Sequence, residues 1–200
     1  LDGVRFRNFQ IEGRKREQPD PGTPQSSWMQ WGIGVKSPTL SSTNGGCVHN
    51  VTARDLLTGG FEVRNGDGWI FEYSTAMDLG CQADLTPCDQ LRDTPEWASV
   101  PGLQADGFGF YSESSTSGTV VRHNRVVRAV KYGIGAVFGA QGFHFHDNVV
   151  VAVVGAGIGC NGCSNGVIER NLVSSMHYPT RRNDAWPDGD GGEVGQGLTC

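Results

Sequence analysis

The sequence has no long apolar run. Nothing in its 200 residues approaches the roughly 18 consecutive apolar positions a membrane helix needs, and hydrophobic residues make up only 37% of the chain. A spanning segment is therefore not expected. A basic excess is also missing. The formal net charge is −5, without the lysine- and arginine-rich stripe by which proteins neutralise phosphates, so nucleic acid is not an expected partner. Cys160-Asn161-Gly162-Cys163 has no second cysteine pair at ligand spacing, which argues against a zinc site. The opening LDGVRF carries neither an initiator methionine nor a signal peptide. The expectation is one domain over residues 1–200, an excerpt of a longer protein.

Glycine is what the sequence has in abundance. Thirty glycines are about twice the usual share of roughly 7%, and they recur in register instead of clustering as a linker would. A Gly-apolar-Gly phrase appears in WGIGVKS from Trp31, GGFEVRN from Gly59, DGFGFYS from Asp106, KYGIGAVFGA from Lys131, VGAGIGCNGC from Val154 and QGLTC from Gln196. A second phrase travels with it: VVRHNRV from Val120, HFHDNVV from His144 and VIERNLV from Val167. Aligning Val121, Phe145 and Ile168 places Asn124, Asn148 and Asn171 in one column and Val126, Val150 and Val173 in the next. Phe6, Ala53 and Phe71 fit the first column more loosely.

The asparagines stand 24 and then 23 residues apart. That interval holds two short strands and tight corners, and is too short for a β-α-β unit. Coils of this length stack strand on strand at about 4.8 Å. The fold expected is all-β, a right-handed parallel β-helix (solenoid) with long insertions on one side. The V/I/F-x-x-N-x-V and Gly-apolar-Gly phrases resemble those of the right-handed parallel β-helix proteins, the pectin-lyase-like superfamily. That resemblance implies the architecture over most of the chain and leaves activity open, since the superfamily includes lyases, hydrolases, epimerases and non-catalytic adhesins.

The repeat predicts roles for its columns. Asn124, Asn148 and Asn171 form a corner ladder, since an asparagine amide bonds neighbouring backbone and tolerates left-handed geometry. Ile33, Phe61, Phe108, Ile134, Ile158 and Leu198 stack inside. The glycines beside them leave a flat outer strip, on which loops could pack or an extended ligand could lie. Cys160 and Cys200 fall in one inward column, within disulfide reach or as a buried thiol ladder. Six cysteines are compatible with secretion, and an extracellular location is the expectation.

Three insertions interrupt the repeat at one position: GRKREQPDPGTPQSSWMQ from Gly13, CQADLTPCDQLRDTPEWASVPGLQ from Cys81 and HYPTRRNDAWPDGDGGEV from His177. Insertions at one repeat position project from one side and build a surface there. Each carries a tryptophan, Trp28, Trp97 and Trp186, able either to stack on sugar rings or to pin its loop. Arg181 and Arg182 suit sugar carboxylates. Asp188, Asp190 and Glu193 offer oxygen ligands of the kind Ca²⁺ takes, without completing an EF-hand.

For chemistry, Asp106 and Lys131 precede neighbouring Gly phrases. In β-helix lyases and epimerases a base removes the proton α to a uronate carboxylate, and the resemblance implies Lys131 or His177 for that role, with Asp106 beside it. The other reading of Asp106 and Lys131 is an exposed salt bridge. ADGFGF at Ala105 only partly resembles the N-T-D-G-x-D phrase of polygalacturonase-type hydrolases: Ala105 replaces the Asn, and Gly109 stands at the second Asp. Arg122, His146 and Glu169 are expected to face outward as a ladder of alternating charge. Two functions stay open: a polysaccharide-active lyase, epimerase or glycoside hydrolase, and a non-catalytic adhesin or glycan-binding module.

Overall fold

The structure is a computed structural model and describes residues 3–13, 31–36, 43–56, 59–80, 107–129, 132–153, 156–174 and 198–199. Among them there is no helix. Each strand pairs in parallel with strands of the neighbouring repeats, and the pairs form three ladders. In the first run β1 (Val4–Glu12), β3 (Thr43–Leu56), β5 (Gly66–Glu72), β8 (Val120–Arg122), β11 (His144–His146) and β14 (Val167–Glu169). The second continues from the far halves of β1 and β3 through β6 (Thr75–Leu79), β9 (Arg125–Ala129), β12 (Val149–Val153) and β15 (Leu172–Ser174). The third is β2 (Trp31–Lys36), β4 (Gly59–Arg64), β7 (Phe108–Glu113), β10 (Tyr132–Val137), β13 (Ala156–Asn161) and β16 (Leu198–Thr199). Strand β3 runs unbroken through the first two ladders, so these form one sheet; the third is a separate sheet.

The expected columns are present, with two shifts and a third strand per repeat. Val48, Phe71, Val121, Phe145 and Ile168 stand in register in the first ladder, with Phe6 ahead of them. Ala53 is not among them. It pairs with Ile11 and Ala76, in the second-ladder column that continues through Val126, Val150 and Val173. The phrase around each asparagine therefore spans two strands and a corner. In the third ladder the column runs Ile33, Phe61, Phe110, Ile134, Ile158, Leu198, so Phe110 takes the place expected of Phe108. These columns meet in one core, where Phe61 stacks on Phe110 at 4.7 Å between ring centroids. A buried aromatic or branched side chain of this kind contributes about 1.5–3 kcal/mol.

The corner between the first two ladders is held by amides. Asn148 Nδ2 donates to the Val121 carbonyl (2.8 Å) and to Asn171 Oδ1 (2.9 Å), while its own Oδ1 accepts from the Asn124 backbone N–H (2.9 Å). Asn124 repeats this toward Phe71 O, and Asn171 toward Phe145 O. Ser74 caps the column by accepting from Val51 N–H through Oγ (3.1 Å). The left-handed residues are not these asparagines but the residues before them, His123, Asp147 and Arg170, and Tyr73 before Ser74, all with φ between 52° and 56°. A non-glycine residue pays roughly 1–2 kcal/mol for that conformation, and the buried amide bonds beneath offset it.

The repeated glycines have two reasons. The glycine immediately before the core residue of the phrase faces inward at the junction of the second and third ladders. A Cβ on Gly32 would lie 2.6 Å from Gly60 O and 2.8 Å from the Ala53 Cβ; Gly60 meets Ala76, Gly109 meets Val126 and Gly133 meets Val150 in the same way. This corrects the expectation that both flanking glycines face outward. Nor is the outer strip bare. The Trp31 ring covers Gly59, Tyr111 covers Gly135, and the Glu62 side chain lies over Gly34.

The turn after the third ladder is closed differently in successive repeats. Ser112 and Thr116 share a 2.7 Å hydroxyl hydrogen bond. Ala136 and Ala140 occupy these places in the next repeat, and Cys160 and Cys163 in the one after. The last pair is a disulfide. Cys160 is thus joined to Cys163 and not to Cys200, because the corner brings the nearer partner over it; Cys200 itself lies outside the described residues.

Candidate functional site

Each insertion leads directly into a third-ladder strand: β2, β7 and β16 follow them in sequence. The outer side of that ladder is therefore where a loop-built surface would have its floor. Its first column reads Trp31, Gly59, Phe108, Tyr132, Ala156. Trp31 stacks on Phe108 (5.9 Å, 7° between planes), and Phe108 stacks on Tyr132 (5.9 Å, 8°). Tyr111 lies on Phe108 at 4.1 Å. This cluster is separate from the core and includes Ala156 and Val137.

The next column reads Gly34, Glu62, Tyr111, Gly135, Gly159. Glu62 is its one charged member, and its side chain is only 1% exposed. Lys36 Nζ lies 2.9 Å from Oε2 and Arg64 Nη2 lies 3.4 Å from Oε1. Lys36 is the closer partner and opposes the effect of burial both by its short contact and by its charge; Arg64 acts by its charge. Burial pushes the Glu62 carboxyl above the ordinary glutamate value of 4.5; Lys36 and Arg64 oppose that rise and Glu113 adds to it. Glu113 is on the neighbouring repeat, joined to the same Arg64 at 2.6 Å. Two carboxyl groups thus share one guanidinium, and one of them is held toward its protonated form. Such a carboxyl can donate a proton in weakly acidic solution, while Lys36 and Arg64 can face an anionic group.

The outer side of the first ladder differs. Arg122 donates twice to Glu72 Oε2 (2.8 and 2.6 Å), and His49 lies 3.1 Å from Oε1. Burial works to raise the Glu72 pKa, but these bonds outweigh it and leave the carboxyl below its ordinary range. Arg170 and His146 lower Asp147, and His144 and Arg170 lower Glu169. Arg122, His146 and Glu169 do stand in one outward column, as the repeat implied.

No family model, curated protein or solved structure matches this chain. Among the described residues no group of three histidine, cysteine or acidic side chains is arranged to hold a metal ion, and no helix is long and apolar enough to cross a membrane.

The sequence-derived candidates Asp106, Lys131 and His177, Trp28, Trp97 and Trp186, Arg181 and Arg182, and Asp188, Asp190 and Glu193 all lie outside the described residues. The described site is instead Glu62 with Lys36, Arg64 and Glu113, beside Trp31 and Tyr111. One signal could have found it. Glu62 is a carboxylate in a column that is glycine at 34, 135 and 159, within a phrase whose period was already legible.

Proposed function

We propose that the chain is a right-handed parallel β-helix of the pectin-lyase-like kind, and that it is a polysaccharide-active protein of lyase, epimerase or glycoside hydrolase type. An extended glycan would lie along the outer side of the third ladder, between the insertions. The observation that carries this is the pairing of a buried Glu62, whose carboxyl burial pushes above its ordinary value, with a stacked aromatic wall on the ladder each insertion enters. In this reading Glu62 serves as the general acid, Arg64 and Lys36 orient an anionic substituent, and Trp31 and Tyr111 pack against sugar rings. The Cys160–Cys163 disulfide supports an oxidising, extracellular setting.

A second reading is favoured by the same burial. A carboxyl 1% exposed and held between two cations also suits a module that binds glycan without turning it over. Incubation with pectate, alginate and neutral polysaccharides separates the two. New reducing ends or unsaturated products, lost in Glu62→Gln, support the enzyme. Retention without product supports the module. Neither product nor retention on any of them rejects both.

A further inference from the structure

The first ladder carries a row of rings that the Glu62 face does not use. His49 meets Tyr73 edge-on at 5.4 Å, and Tyr73 lies flat on His123 at 5.0 Å with 14° between planes. His123 meets His146 at 5.9 Å, and His146 lies 4.2 Å from His144. The row crosses four successive repeats, roughly 15 Å at strand spacing. It runs along the direction in which the repeats stack. Tyr73 is 55% exposed, because its left-handed corner conformation turns the side chain off the sheet.

We propose that this row is a second binding surface, for an extended neutral polysaccharide lying along the stacking direction. The flat Tyr73–His123 pair is a platform for the apolar face of a sugar ring, since an aromatic ring presents an apolar body with a polar tip. Arg7 stands in register with His49 at one end of the row; the ion pairs beside the rest of the row select the ligand. Arg122 is held by Glu72, and Arg170 is held by both Asp147 and Glu169. A polyanion would have to break those pairs and approach three carboxylates. Sugar hydroxyls can bond to the same groups without displacing a charge. Nucleic acid, which also stacks on rings, is disfavoured by the same carboxylates and by the net charge of −5.

The test is native gel electrophoresis with xyloglucan, mixed-linkage β-glucan or galactomannan cast into the gel, and polygalacturonate or single-stranded DNA in parallel gels. The variant is Tyr73→Asn with His123→Asn. Asparagine suits the left-handed corner, as Asn8 and Asn50 show at the preceding repeats, so the rings go while the turn stays; an unchanged circular dichroism spectrum and melting temperature verify that. Retardation by at least one neutral polysaccharide, weakened about tenfold in the double variant, supports the proposal. No retardation by any of them, retardation that the double variant leaves unchanged, or retardation only by polygalacturonate or DNA overturns it. Product release measured on the same samples distinguishes this surface from the Glu62 face: the proposal requires it to be unaltered by Tyr73→Asn and His123→Asn, whether or not the wild type releases product.

Discussion

The first ladder turns an exposed lattice of ion pairs outward; the third turns outward a buried carboxylate and a wall of stacked rings. Both faces come from the same parallel register, with one side chain per repeat in each column. The difference lies in what stands beside each charge. Glu72 has Arg122 and His49 on adjacent repeats, both aligned to hydrogen-bond it and open to water. Glu62 has Gly34 on one side in its column and Tyr111 on the other; its side chain lies over Gly34 and is buried against Lys36 and Arg64. A repeat scaffold thus tunes a carboxyl by the residue one repeat away, and the two faces have opposite dependence on pH.

The sharpest way to break the comparison is to remove the corner that supports only the first face. Asn148→Ala leaves the Asn124 N–H and the Val121 carbonyl without these partners in a buried corner. The expected loss is roughly 2–4 kcal/mol in urea unfolding, with hydrogen exchange rising first in β8 and β11 and last in β4. Uniform exchange across the ladders would show that the corner does not belong to one face.

Next in size is Lys36→Met. Taking one cation from a buried carboxyl costs about 1–3 kcal/mol at neutral pH, and much less once Glu62 is protonated. Glu62→Gln sharpens the sign. A raised native pKa means that the contribution of Glu62 to stability is complete below the unfolded-state value and is lost as pH rises through the native one. The wild type should therefore lose stability relative to Glu62→Gln across the weakly acidic range above 4.5. Glu72, Asp147 and Glu169 behave oppositely. Their lowered values give stability that is present above the ordinary carboxylate range and lost as pH falls.

Smallest is Arg122→Met. Its pair with Glu72 is half-buried but its guanidinium is open to water, so the cost is about 1 kcal/mol and shrinks further in high salt. A loss as large as that of Lys36→Met would erase the distinction between the faces.

Much of the scaffold was legible because its columns repeat with little drift: Val121, Phe145 and Ile168, the asparagines, and Val126, Val150 and Val173 all fall where the period puts them. The errors have local causes. Phe108 and Phe110 flank one glycine, and either fits an apolar column until pairing with Ile134 selects Phe110. Ala53 stands in for Val48 in the sequence pattern because the corner asparagine of β3, Asn50, is one place early, at the left-handed position. The third strand stayed hidden because nothing in V-x-x-N-x-V marks a corner except the asparagine itself. Glu62 is hidden in the sequence for a different reason: the insertions depart from the repeat in length, while Glu62 departs from it only in chemistry.

The most direct test of the contrast is a carbon-13 NMR titration of the glutamate side-chain carboxyls, assigned by Glu62→Gln, Glu72→Gln and Glu169→Gln. Glu62 should titrate above 4.5, and Glu72 and Glu169 below it. Glu62 titrating with or below the other two would contradict the account, because the two faces would then hold their carboxylates alike.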